Sequence, residues 1–75
     1  MLTKLQVQML QAAAQNNQIA QILAIAVLMQ DIDTVLYIAQ HYNTAQHIKF
    51  AEDRATLTAI LHDELLAQAN TQRAN

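Results

Sequence analysis

Residues 18–30 read Gln18-Ile19-Ala20-Gln21-Ile22-Leu23-Ala24-Ile25-Ala26-Val27-Leu28-Met29-Gln30, a stretch with three glutamines and no charge. On a helical wheel it is apolar on nearly every side, and a helix without a polar face is one that is buried all round. Ile and Val also suit a strand, but the interleaved Ala20, Ala24 and Ala26 favour a helix. This stretch therefore predicts a central, covered helix and sets the fold class as all-α.

Working outward, the stretch is bounded by Asn16-Asn17 and by Asp31-Ile32-Asp33, and Asn43 follows further on. The chain has no Gly and no Pro. Asn and Asp must then punctuate it, because their side chains support turns and cap helices. These positions divide the chain into four segments, none of which alternates with period two. The expected fold is a small compact bundle of about four helices. It forms a single domain over residues 1–75, with the second helix central and the fourth longest.

Thr3-Lys4-Leu5-Gln6 fits a capping box, with Leu2 and Val7 placed as a hydrophobic staple. Leu5, Met9 and Ala12 continue one stripe to about Gln15. Asn16 would take the next position, so a break is expected there, against the alternative of one long helix to Gln30. Beyond the apolar stretch, Asp33 is the expected cap of the third helix, with Ile32 and Tyr37 as a second staple. Val35, Ile38, Ala39 and Tyr42 give that helix one apolar face, ending near Asn43. The last helix is predicted from about Thr44 to Ala69. Ile48, Ala51, Ala55, Ala59 and His62 form one strip of it, and Phe50, Leu57, Leu61 and Leu65 an adjoining one. Residues 70–75 are expected to be a frayed tail.

Composition points to association. The chain holds 14 Ala, 11 Gln, 10 Leu and 7 Ile, and charged residues are 13% against about 25% in a typical domain. Leu5 to Gln30 is 26 residues without an ionisable side chain. Six carboxylates and three of the four basic residues fall between Asp31 and Arg73. Solvated surfaces normally carry charge, so the neutral half is expected to be covered. A chain this short buries only about 60% of its unfolded surface, and no cysteine is present to staple it. Self-association as a two-fold dimer is the expected reinforcement. Leu5, Met9, Ile22, Ile25 and Met29 are the residues expected in that interface or in the core beneath it.

Catalytic and ligand-binding chemistry finds little support. Serine and cysteine, two common covalent nucleophiles, are absent. His41, His47 and His62 lack the i,i+3 or i,i+4 spacing of helical metal ligands, and neither Glu52 nor Glu64 precedes a histidine by three residues. The pairs Asp31/Asp33, Glu52/Asp53 and Asp63/Glu64 read as caps and solvated helix residues. No glycine means no phosphate-binding loop. The chain is accordingly read as non-enzymatic and without a cofactor.

Ile19 to Met29, a short turn, then Asp33 to Tyr42 has the lengths of a helix–turn–helix. The would-be recognition helix contains no Lys or Arg, and Lys4, Lys49, Arg54 and Arg73 are scattered. Phosphate contacts dominate DNA affinity, so nucleic acid is not the expected partner. Tyr37, Tyr42 and Phe50 are the only aromatics. They mark either a partner-binding corner or, as favoured here, a plug at the end of the bundle. The longest apolar run, Ile22 to Met29, is eight residues, far below the ~20 of a membrane span. No secretory signal is recognisable, and His62-Asp63-Glu64-Leu65 is an internal retention-like sequence with ten residues after it. The expected location is the cytoplasm. The expected function is that of a non-catalytic helical protein that self-associates and docks onto a protein partner. The alternatives are a helix–turn–helix DNA-binding regulator and an accessory subunit of an enzyme complex.

Overall fold

Two left-handed residues direct the first half of the chain. A computed structural model describes residues 1–73 and contains helices α1 (Lys4–Gln15), α2 (Ile19–Leu28), α3 (Ile32–His41) and α4 (Ala51–Arg73). At the end of α1, Asn17 has φ 57°, and at the end of α2, Gln30 has φ 58°. The Gln18 amide donates to Ala13 O at 2.8 Å and the Asn17 amide to Ala14 O at 3.3 Å. The Asp31 amide donates to Ala26 O at 2.8 Å and the Gln30 amide to Val27 O at 3.1 Å. Both ends are thus Schellman motifs, built without glycine. The expected break at Asn16-Asn17 is real, and residues 3–30 form two helices.

The start of α1 matches its sequence signature. Thr3 Oγ1 accepts from the Gln6 amide at 3.2 Å, and Gln6 Oε1 accepts from the Thr3 amide at 2.8 Å. The start of α3 does not. Asp31, not Asp33, is the cap: its side chain accepts from the Thr34 amide at 3.4 Å and from the Thr34 hydroxyl at 2.7 Å. The Schellman turn closing α2 is complete at Asp31, so this is the first residue free to cap the next helix. Asp33 instead accepts from the amino group of Met1 at 2.7 Å, and Ile32 is exposed rather than stapled to Tyr37.

The last helix begins seven residues later than expected and runs four residues further. Thr44 opens only a single turn, with Thr44 O accepting from the amides of His47 and Ile48. α4 starts at Ala51, where Glu52 and Asp53 complement the positive end of its dipole. Of the tail expected over 70–75, residues 70–73 are helical, and 74–75 lie outside the described residues.

The core consists of Leu10 and Ala13 from α1, Ile19 and Ala26 from α2, Val35, Ile38 and Ala39 from α3, and Ile48 and Leu57. Each helix packs on its neighbours in sequence: α1 on α2, α2 on α3, and α3 on α4. α2 and α3 each touch two other helices, so the second helix shares the central place with α3. Ile48 enters the core from the loop before α4. The strip expected to follow it, Ala51, Ala55, Ala59 and His62, is exposed, and α4 turns Leu57, Ile60 and Leu61 inward instead.

Candidate interaction surface

The serial packing leaves α2 open on both flanks. Only Ile19 and Ala26 of this helix are buried, with Ile22 and Leu23 partly covered. The expectation that α2 is covered all round is not met within one chain. Leu28 is 84% exposed, Val27 58% and Ile25 54%, and Met29 just beyond the helix is 73% exposed. Leu5 and Met9, on α1, are about as open, at 65% and 64%. Of the five expected interface residues, Leu5, Met9, Ile25 and Met29 thus lie on the surface, while Ile22 packs against the core.

Two grooves flank α2. Toward α1 lies an open groove of about 390 Å³, where Met9, Leu10, Ala13 and Ile22 alternate with Gln6, Asn16, Gln18 and Thr34. Toward α4 lies a second, of about 410 Å³, lined by Ala20, Leu23, Ala24, Val27 and Leu28 with Asp53 across from them. No ionisable side chain lines the first groove, and Asp53 is the only one in the second.

The aromatic corner comes together in part. Tyr37 and Tyr42 lie 6.2 Å apart between ring centroids and pack against the core. His41 lies 4.3 Å from Tyr37 with the two rings tilted by 38°, and His47 meets Tyr42 edge-on at 5.3 Å. Phe50 stands away, exposed at the entrance to α4, so the aromatic cluster is formed by two tyrosines and two histidines without it. Burial raises the Tyr42 phenol above its ordinary value, and the neighbouring Tyr37 adds to the rise. Spacing along the chain gave no sign of the two histidines, because His47 reaches the corner only through the turn at Thr44.

Beside this corner, Asn43 Oδ1, His47 Nδ1 and Arg54 Nε are buried without a hydrogen-bonding group of the protein. Among the described residues no three His, Asp or Glu side chains converge on one point. His62 is exposed on α4. The carboxylates have separate tasks: Asp31 caps α3, Asp33 pairs with Met1, and Glu52 and Asp53 sit in the first turn of α4. The exposed residues of α3 are Ile32, Asp33, Gln40 and His41, none of them Lys or Arg. Among the described residues no helix is long and apolar enough to cross a membrane. No known family, curated protein or solved structure matches this chain.

Proposed function

We propose that this chain is a non-catalytic cytoplasmic interaction module that self-associates and docks onto another protein through the apolar surface of its neutral half. The observation that carries this reading is surface area. A monomeric protein of 8.4 kDa exposes about 4,600 Å² by the usual scaling, whereas this chain exposes 5701 Å². The surplus, about 1,100 Å², exceeds the ~800 Å² that each partner contributes to a standard interface. The surplus belongs to the chain as a whole; its exposed large apolar side chains include Leu28, Met29, Leu5 and Met9 in the neutral half, and Met1, Phe50, Leu65 and Leu66 outside it. Patches of this kind mark interaction sites.

Leu5, Met9, Ile25 and Met29 supply the docking surface, beside a groove whose polar rim can hydrogen-bond to a partner. The test is the dependence of thermal unfolding on protein concentration. Association of folded chains raises the midpoint as concentration rises, so a hundredfold increase should shift it upward. A constant midpoint overturns the self-association. A gel-shift titration against bulk DNA checks the regulator reading: salt-sensitive retention would favour that reading over this one.

A further inference from the structure

The link between α3 and α4, residues 42–50, is held by opposing contributions. In its favour, Ile48 is buried, and Asn43 Nδ2 donates to Arg54 O and to the Thr58 hydroxyl. Against it, Asn43 Oδ1, His47 Nδ1 and Arg54 Nε are buried with no hydrogen-bonding group of the protein. An orphaned buried polar group costs more than one hydrogen bond returns, and about as much as burying one isoleucine side chain gains. Three such groups, set against Ile48 and two hydrogen bonds, leave the closed link with little net advantage.

The helix beyond this link is an arm with a single attachment. Among the described residues α4 packs on α3 and on no other helix, turning Leu57, Ile60 and Leu61 to the core. The link contains neither Gly nor Pro, so nothing in its sequence bars a helix through it. With the link helical, α3 and α4 become one rod over residues 32–73, and a rod cannot fold its second half back onto its first. The face of α3 that α4 had covered is then bare. The element shaped to that face is an α4, supplied by a second copy.

We infer that this chain exchanges α4 with a second copy. The link straightens, and each α4 packs on the second copy's α3 about a two-fold axis. The fold itself fixes the occupant, because exchange remakes between two copies the α3–α4 packing already present within one. Straightening also brings the orphaned groups of Asn43, His47 and Arg54 to water. This goes beyond the docking of the neutral half proposed above, and leaves that surface free.

The turn in the link supplies the test. Thr44 O accepts from the amides of His47 and Ile48, which makes the exposed Ala45 the second residue of that turn. Proline is favoured there but breaks a helix. Ala45→Pro should therefore keep the closed link and forbid the rod. Refolded from urea at high concentration, the wild type should yield a dimer that gel filtration separates and that persists after dilution, because α4 must detach before it can return. Ala45→Pro should yield less of it by roughly a hundredfold or more, the factor set by proline inside a helix, with unchanged circular dichroism. Deleting residues 43–49, about two helical turns, leaves too short a link to fold back and should give dimer alone. This second variant decides the matter even if the proline chain fails to fold. A persistent dimer equally abundant in Ala45→Pro, a folded monomer from the shortened chain, or a wild type that refolds only to monomer overturns the exchange. A dimer that dissociates at once on dilution and ignores Ala45→Pro also overturns it, and leaves docking through the neutral half standing.

Discussion

Asn43 donates from Nδ2 to the hydroxyl of Thr58 at 2.9 Å, bridging the exit of α3 and the second turn of α4. The same amide reaches Arg54 O at 3.3 Å, and Thr58 donates its own proton to that carbonyl at 2.9 Å. One side chain thus ties α4 to α3, the only helix on which it packs among the described residues.

Asn43→Ala should cost about 1 kcal/mol in urea unfolding, the usual net worth of an intramolecular hydrogen bond. Thr58→Ala should be non-additive with it by about 0.5 kcal/mol or more, as for residues in one network. Full additivity would mean that the bridge contributes nothing.

Asp31→Ala should lose about 1 kcal/mol, since it removes the cap of α3. Asp33→Ala should change stability little, because the Met1–Asp33 pair is open to solvent at both ends. The reverse order in denaturant midpoints would place the helix start two residues later.

Gln30 holds a left-handed backbone that costs a residue with a Cβ roughly 1 kcal/mol or more. Gln30→Gly should therefore stabilise the fold, by less than about 1 kcal/mol once the added freedom of the unfolded chain is subtracted. Gln30→Val should destabilise it. Equal midpoints for all three proteins would contradict the left-handed turn.

The raised phenol of Tyr42 predicts an alkaline effect. Its folded-state pKa lies above the ordinary 10.0, so the folded state binds the proton more tightly than the unfolded one. The associated stability is complete below pH 10 and falls as pH rises through the folded-state value. Tyr42→Phe should flatten the dependence of the urea midpoint on pH above 10. An unchanged slope would show that another group is responsible.

Local chemistry was legible in the sequence where a side chain has a fixed job at a fixed spacing. Thr3 and Gln6 announce the start of α1, and Asn16-Asn17 its end. Gln30 carries no such mark, since Gln has no preference for left-handed backbone, and the shift of the cap from Asp33 to Asp31 follows from that turn. The phase of α4 was hidden by its alanines, which suit a buried or an open face equally, and by Ile48, whose burial is provided from a loop. The apolar character of α2 was plain. The number of neighbours available to cover it was not, because that depends on α4 packing against α3 and leaving α2 open. Ile25 and Met29 are exposed at the same open helix, and Leu5 and Met9 are exposed on α1.

The central claim is that a single chain leaves its neutral half uncovered and a second copy covers it. Sedimentation equilibrium of the wild-type protein, from low to high micromolar concentration, tests this most directly. The account predicts a mass approaching twice the 8.4 kDa of the chain, rising with concentration as a monomer–dimer equilibrium. A folded, soluble species of one chain's mass across the whole range would contradict it.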